Sequence, residues 1–97
     1  MRKIRLSERA LGDLLDIRDW IAEVANTAIA EAYVTRIREK MNRLADFPDL
    51  GEPQPQLKNG TRKLTFERNY IIFYRVEDAT VKIDRVISGR RDIASLF

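Results

Sequence analysis

The amino-terminal part of the chain has the apolar spacing of a short strand followed by a helix. Residues 2–6 alternate polar and apolar side chains, a pattern that predicts a strand with Ile4 and Leu6 facing inward. Ser7 is a typical helix N-cap residue, and an acidic residue follows it. We therefore predict an amphipathic helix of about sixteen residues, with an inward stripe of Leu11, Leu14, Leu15, Ile21 and Val24.

A second helix is predicted after the break at Asn26-Thr27, which supplies a new cap. Its polar face is basic, whereas the first helix presents Asp13, Asp16 and Asp19, which we expect to be solvated. Two helices of opposite surface charge, joined by so short a break, should form an antiparallel hairpin. The apolar stripe predicted for the second helix consists of Ala30, Tyr33, Val34, Ile37, Met41 and Leu44.

The second half of the chain has the spacing of three strands. Residues 47–55 contain three prolines, which cannot continue a helix or a central strand and so predict a connector. After the turn signal Asn59-Gly60, strands are predicted over 61–66, 69–76 and 80–88. The gaps between them are short enough for hairpins, so the three strands should form an antiparallel meander with the second strand in its centre.

The last predicted strand breaks the alternation of faces. Val81 and Ile83 point to one face, and strict alternation would place Arg85 beside them and Val86 on the opposite face. Either a β-bulge near Asp84-Arg85 resets the phase, or the arginine lies on an otherwise apolar face. A partly buried arginine is a member of a structural ion pair or a functional group, and we favour the ion pair.

The predicted fold class is α+β with two layers, in a single domain over residues 1–97. The order is an amino-terminal strand, an antiparallel helix hairpin and a three-stranded antiparallel meander. The helices would cover one face of the sheet, and the other face has no obvious helical cover.

Composition excludes several kinds of chemistry. Cysteine and histidine are both absent, which removes thiolate nucleophiles, disulfides, and the commonest general base and metal ligand. We expect no metal and no cofactor. No apolar run approaches the length of a membrane span, and the amino terminus lacks the apolar region of a secretory signal, so we expect a cytoplasmic protein that does not bind membranes.

The net charge of +3 is unevenly distributed. Residues 1–55 contain nine Lys and Arg against ten Asp and Glu, a balance of −1. Residues 56–97 contain nine Lys and Arg against five Asp and Glu, a balance of +4. We therefore expect an acidic partner to bind the second half of the chain.

Basic and aromatic side chains are interleaved on the predicted sheet and its carboxyl end. Such a set can grip phosphates and stack bases, or bind the carboxylates of an acidic protein segment. Arginine keeps its proton and can only stabilise charge, so Lys63 or a tyrosine would need a lowered pKa to act as acid or base. The set consists of Arg62, Lys63, Arg68, Tyr70, Tyr74, Arg75, Arg85, Arg90 and Arg91.

The order of these elements, with several short motifs, resembles the RelE/ParE superfamily of toxins from type II toxin–antitoxin modules. The resemblance covers nearly the whole chain, and the carboxyl-terminal motif is most similar to the ParE branch. The motifs include Phe47-Pro48-Asp49-Leu50-Gly51, Asn59-Gly60-Thr61-Arg62-Lys63, Tyr70-Ile71-Ile72-Phe73-Tyr74-Arg75-Val76 and Arg85-Val86-Ile87-Ser88-Gly89-Arg90-Arg91-Asp92.

The ParE resemblance implies a toxin that arrests growth by inhibiting DNA gyrase without a hydrolytic site of its own, in a module that serves plasmid or chromosomal stability. It implies neutralisation by a cognate antitoxin with an acidic arm, which would also be the link to operator DNA. We expect Arg85, Arg90 and Arg91 to contact the target. We expect the antitoxin to contact Trp20, Tyr33, Arg62, Arg68, Tyr70 and Tyr74.

The RelE resemblance leaves an alternative open, a ribosome-dependent mRNA endonuclease. Such a site would require Arg62, Lys63, Arg75 and Arg85 to converge on one face of the sheet. RelE-like sites use a tyrosine or histidine near the carboxyl end, and residues 93–97 contain neither. Ser88 also stands where ParE-like chains often have histidine. A third hypothesis is a toxin-like chain that has lost its activity and persists as a partner in a complex.

Overall fold

The computed structural model describes residues 1–57 and 59–89. Two helices pack on a five-stranded sheet. The elements are β1 (Lys3–Leu6), α1 (Glu8–Val24), α2 (Thr27–Asn42), β2 (Glu52–Pro53), β3 (Arg62–Phe66), β4 (Tyr70–Glu77) and β5 (Thr80–Ser88). A short 3₁₀ turn, Arg43–Ala45, follows α2. The strand order in the sheet is β1-β5-β4-β3-β2. The prediction of an α+β fold is confirmed.

Both helices begin at the predicted caps. The Ser7 hydroxyl accepts a hydrogen bond from the amide of Ala10 at 3.0 Å, and the Asn26 side chain accepts one from Ile29 at 2.8 Å. These bonds satisfy amides that have no partner within the first turn. In the part of the chain that the structure describes, neither helix is long and apolar enough to cross a membrane.

The inward stripe predicted for α1 is partly wrong. Leu11, Leu15 and Val24 are exposed. Together with Leu14 and Ile21 they would span about half of the helix circumference, whereas a helix packed on one sheet buries a narrower stripe. The residues of α1 that are buried are Ala10, Leu14, Ile17 and Ile21.

The sheet contains the predicted meander and extends it on both sides. β3, β4 and β5 pair antiparallel in succession, with β4 in the centre. β1 adds in parallel to β5, with Ile4 opposite Val81. The region predicted as a connector forms the edge strand β2, where Pro53 pairs with Arg62. Proline is tolerated there because an edge strand leaves one side of its backbone unpaired.

A β-bulge resolves the break in alternation on β5. Phe73 pairs with Arg85 and Tyr74 with Ile83, so Asp84 is the additional residue on β5. The insertion returns Val86 to the helix side, where it joins the main core with Ile83.

The face of the sheet away from the helices is not bare. Ile71, Phe73 and Ile87 form a second buried cluster there, and Leu57 from the segment after β2 packs against it. The expectation of a face without helical cover is therefore incomplete, because an irregular segment contributes to burying it.

Candidate partner-binding groove

An open groove of about 900 Å³ runs along α1 above the ends of β4 and β5. Asp16, Trp20 and Val24 line its α1 wall at four-residue intervals, so they form one ridge of the helix. Tyr33 of α2 and Tyr70 of β4 line the rest together with the end of β5. We call this feature the α1 groove. It brings together three of the predicted antitoxin contacts, Trp20, Tyr33 and Tyr70.

The tyrosines of the α1 groove are held by packing and hydrogen bonds. The Tyr33 ring meets Phe66 and Tyr70 edge to face, with centroids 5.5 and 5.9 Å apart. Asn69 donates a hydrogen bond to the Tyr33 hydroxyl at 3.3 Å. Burial, and secondarily the neighbouring Tyr33, raises the pKa of Tyr70, so this phenol is neutral and available for hydrogen bonding at neutral pH.

The α1 ridge of the groove exposes large apolar side chains. Trp20 is 59% exposed and Val24 is 62% exposed. Neither packs in the main core, although each follows an inward-facing position of α1 by three residues. Because Trp20 and Val24 line one concave surface, they form a continuous exposed apolar surface of the kind that is typical of interaction sites.

The turn between β3 and β4 lies at one end of the α1 groove and is strained. Glu67 and Arg68 have positive φ angles of 49° and 62°, a conformation that favours Gly or Asn. Arg36 holds this turn, because its guanidinium lies 5.0 Å from the Tyr33 ring centroid and donates to Glu67 at 3.3 and 3.4 Å. Arg68 is exposed beside Asn69, which lines the groove.

Tyr74 and Arg62 lie outside the groove and hold the segment before β2. The buried Tyr74 hydroxyl donates to the Pro48 carbonyl at 2.7 Å and accepts from the Gly51 amide at 2.8 Å. Arg62 donates to the Gly51 carbonyl at 2.7 Å and pairs with Asp49 at 3.4 Å. The expectation that Tyr74 meets an antitoxin is corrected by its complete burial, which makes it a core residue.

Arg85 is buried in an ion pair with α1. Its Nε and Nη2 donate to the carboxylate of Asp13 at 2.8 and 3.0 Å, and the amide of Val86 donates to the same carboxylate at 2.9 Å. β1 pairs with β5 only as far as Ile83, and beyond that residue the Asp13 carboxylate accepts the hydrogen bond of one β5 amide, that of Val86. The structural reading of Arg85 is confirmed. The solvated reading of Asp13 is wrong, and the sequence distinguishes it from Asp16 and Asp19 only by its position near the helix start.

Comparison with known proteins identifies the family. The sequence model described as "ParE toxin of type II toxin-antitoxin system, parDE" matches residues 4–93. The chain belongs to the ParE toxin family. Toxin ParE1 of Caulobacter vibrioides is 31% identical over 87 residues, which are 90% of this chain and 88% of that protein. Toxin RelE2 of the same organism is 33% identical over 92 residues, 94% of this chain and 99% of that one.

Solved structures agree with the family assignment. The chromosomal ParDE system from P. aeruginosa contains a chain that superposes with a TM-score of 0.79 at 26% identity, over 91% of this chain and 96% of that one. The isolated RelE toxin of E. coli shares the fold, with a TM-score of 0.64 at 15% identity, over 99% of this chain and 93% of that one.

In this ParE-family chain, the four basic residues of the nuclease hypothesis do not converge. Lys63 and Arg75 alternate with core residues and point away from the helices, where Arg75 pairs with Asp84 at 2.8 Å. Arg62 points to the helix side, and Arg85 reaches α1. The hydrogen bonds that Arg75 donates to Asp84 and Arg85 donates to Asp13 raise the pKa of each arginine, so both guanidinium groups keep their charge.

The remaining predicted target contacts, Arg90 and Arg91, lie outside the described residues. Over residues 1–57 and 59–89, no three carboxylates are grouped in a way that could hold a metal ion.

Proposed function

We propose that this chain is a toxin that inhibits DNA gyrase in the cytoplasm and is neutralised when its cognate antitoxin occupies the α1 groove. Membership of the ParE family supports a type II toxin with an antitoxin partner. The gyrase target and the location of the antitoxin are the proposed steps.

One observation carries the placement of the antitoxin. Trp20 is 59% exposed on the wall of a groove of about 900 Å³ whose other walls include two tyrosines. A tryptophan that is open to solvent beside a concave apolar surface contributes little to folding, whereas covering it would stabilise a complex. Arg68, exposed on the strained turn at the end of the groove, is a natural contact for an acidic residue of the same partner.

The ParE branch favours gyrase over the ribosome as the target. The similarity to Toxin RelE2 keeps mRNA cleavage as a second candidate. Against it, Arg62, Arg75 and Arg85 are each engaged by a carboxylate of this chain. A nuclease would need such cations free to bind a phosphate that gains charge in the transition state. An inactive toxin-like chain is the third candidate.

We assign target contact to Arg90 and Arg91, which follow β5 in the sequence after Gly89. In this proposal Arg85 does not contact the target. Its ion pair with Asp13 anchors the strand from which the two arginines continue.

The test is a supercoiling assay with purified gyrase as the toxin is titrated in, alone and with the antitoxin encoded beside it. We expect inhibition with accumulation of cleaved DNA, relieved by the antitoxin. The double variant Arg90→Ala/Arg91→Ala should fold normally and inhibit less. Arg38→Ala/Arg43→Ala, which removes two exposed arginines from the α2 region, is the matched control and should inhibit normally.

The alternatives give different results. Cleavage of ribosome-bound mRNA by the same preparation, with gyrase unaffected, would establish the RelE-like activity. Folded toxin that neither affects gyrase, nor cleaves mRNA, nor arrests growth on induction would identify an inactive chain. Equal inhibition by both double variants would contradict the assignment of Arg90 and Arg91.

A further inference from the structure

A row of three cations crosses the face of the sheet that is turned away from the helices. Lys82 of β5 pairs with Arg5 of β1 on one side and with Arg75 of β4 on the other. Neighbouring strands lie about 4.8 Å apart, so the row is about 10 Å wide. Like charges directly opposite each other on adjacent strands destabilise a sheet. The row therefore needs negative charge beside it, from the protein or from a partner.

The protein supplies that negative charge to only part of the row. Arg75 donates two hydrogen bonds to the Asp84 carboxylate, at 2.8 and 3.1 Å, and the Lys82 ammonium lies 2.7 Å from Glu77. Arg5 is exposed, and no carboxylate of residues 1–57 and 59–89 forms an ion pair with it. The charge of Arg5 is thus left to solvent or to a partner.

Further basic residues extend this surface beyond the row. Arg9, in the first turn of α1, lines a shallow hollow of about 330 Å³ together with Arg75. Like Arg5, it is exposed and has no ion pair within the described part of the chain. The alternation of the strands places Lys3 beside Arg5 and Lys63 on the same side as Arg75.

We call this surface the basic face. Its basic residues are Lys3, Arg5, Arg9, Lys63, Arg75 and Lys82, and the carboxylates of the five strands that share it are Glu52, Glu77 and Asp84. Positive charge is therefore in excess on the side of the molecule opposite the acidic helix α1.

The basic face offers charge without apolar anchors. Ile71, Phe73 and Ile87, the apolar side chains of this side of the sheet, are at most 9% exposed, and Leu57 packs against them. A protein partner gains most of its affinity from buried side chains, and a single-stranded nucleic acid gains much of it from bases stacked on exposed aromatic rings. The backbone of a nucleic acid duplex presents closely spaced phosphates, for which cations alone are sufficient.

We propose that the basic face binds the phosphate backbone of double-stranded DNA without reading its sequence. Arg5 and Arg9 supply the charges that the protein leaves unbalanced. The inference deepens the proposed function and rests on it for its setting, since gyrase holds a DNA duplex and the bound toxin would contact that duplex as well as the enzyme.

Phosphate contacts make this binding depend on salt in a defined way. For B-DNA, the logarithm of the affinity falls with the logarithm of the salt concentration, with a slope of about −0.9 for each neutralised phosphate. Contact with about three phosphates gives a slope of about −3. We expect a dissociation constant of about 10⁻⁵ M at physiological salt, within the range of sequence-independent binding.

The test is the fluorescence anisotropy of a short labelled DNA duplex of mixed sequence, into which the complete toxin is titrated at several NaCl concentrations. We compare the natural toxin with Arg5→Ala/Arg9→Ala. The matched control is Arg38→Ala/Arg43→Ala, which removes the same charge from two exposed arginines of the α2 region. Circular dichroism checks that both double variants are folded.

We expect Arg5→Ala/Arg9→Ala to bind the duplex about tenfold or more weakly at low salt, because two phosphate contacts are lost. Its salt slope should be smaller in magnitude by about 2. The control variant should bind with the affinity and slope of the natural toxin. In the supercoiling assay, Arg5→Ala/Arg9→Ala should also accumulate less cleaved DNA than the control variant at equal toxin concentration.

Three results would overturn the inference. Equal loss of duplex binding in the two double variants would show that binding follows net charge and not the basic face. Tighter binding of a labelled single-stranded RNA of the same length would reject duplex DNA as the ligand. Weaker binding of the antitoxin to Arg5→Ala/Arg9→Ala, with duplex binding unchanged, would assign the surface to the antitoxin.

Failure of this inference and failure of the proposed function give different results. If gyrase is inhibited but the toxin alone does not bind the duplex, the basic face is overturned and the gyrase proposal stands. If duplex binding depends on Arg5 and Arg9 but gyrase is unaffected, the gyrase proposal is overturned and the DNA-binding surface stands.

Discussion

Asp13 of α1 and Arg85 of β5 are joined by two hydrogen bonds of 2.8 and 3.0 Å across 72 positions of sequence. Their side chains are only 14% and 10% exposed. The same carboxylate also accepts a hydrogen bond from the amide of Val86, which lies just after the bulge at Asp84. The Asp13 carboxylate thus balances the charge of Arg85 and also holds the backbone of β5, the strand that precedes the predicted target contacts.

Removing Asp13 should destabilise the fold strongly. In Asp13→Ala the buried guanidinium of Arg85 loses its counter-ion, and loss of one partner of a buried pair costs about 3 kcal/mol or more of unfolding free energy. Urea denaturation measures the change. Asp19→Ala, which removes an exposed aspartate of the same helix, should change the stability by less than about 0.5 kcal/mol. Equal losses in the two variants would contradict the structural role of Asp13.

Gly51 should not tolerate a side chain. A Cβ atom there would lie 2.6 Å from Cε1 of Tyr74 and 2.7 Å from the Lys63 carbonyl oxygen. We expect Gly51→Ala to lower the free energy of unfolding by about 1–3 kcal/mol, as overpacking does.

The matched control is Gly12→Ala, because a Cβ atom at this α1 position meets nothing within 4 Å. Alanine should stabilise the helix there by about 0.5–1 kcal/mol. Thermal unfolding of the two variants tests whether Gly51→Ala lowers stability and Gly12→Ala raises it. A Gly51→Ala protein as stable as the natural chain would rule out the close approach to Tyr74.

Tyr74 should make stability fall at alkaline pH. Burial raises the pKa of its phenol, although the Gly51 amide and the charge of Arg62 oppose the shift. The folded state therefore holds the proton more tightly than the unfolded state, in which a tyrosine titrates at about pH 10. The stability that the protonated Tyr74 phenol contributes is complete below that pH and is lost as pH rises from there through the pKa of Tyr74 in the folded protein.

Tyr74→Phe should be less stable than the natural protein by about 1–3 kcal/mol at pH 8, because Gly51 and Pro48 lose a buried partner. Its stability should decline less steeply between pH 9 and about pH 11. Urea unfolding at several pH values gives both quantities. If the stability of the two proteins declines equally with rising pH, the Tyr74 phenol is not the group responsible.

Trp20 should contribute to binding without contributing to folding. Trp20→Ala removes a side chain that is 59% exposed, so unfolding free energy should change by less than about 0.5 kcal/mol. Affinity for the antitoxin should fall by about 2 kcal/mol or more, as expected for an interfacial hot spot. Calorimetric titration measures the affinity. A comparable variant on α2, Ile29→Ala, removes a side chain that is 51% exposed and should leave binding intact.

Local features of this protein could be predicted from sequence because they depend on near neighbours. Ser7 and Asn26 cap their helices through amides three residues away. The meander follows from apolar runs separated by gaps too short for anything but hairpins. The break in alternation at Asp84-Arg85 left two interpretations, a bulge or an arginine on an apolar face, and the structure contains the bulge, which keeps both Ile83 and Val86 inside. Trp20, Tyr33 and Tyr70 share one groove, and their role as antitoxin contacts stays a prediction.

What the sequence could not decide depended on residues far apart in the chain. Asp13, Asp16 and Asp19 have the same side chain and similar spacing, yet only Asp13 lies against a buried arginine. Tyr70 and Tyr74 are four residues apart on β4, yet one lines the groove and the other is fully buried under the segment that contains Gly51. Caps, turns and strand periods are set by local backbone geometry, so the sequence determined the elements. Burial and ion pairing arise only when distant elements pack together, so the tertiary structure decided which of these aspartates and tyrosines support the fold and which remain available to a partner.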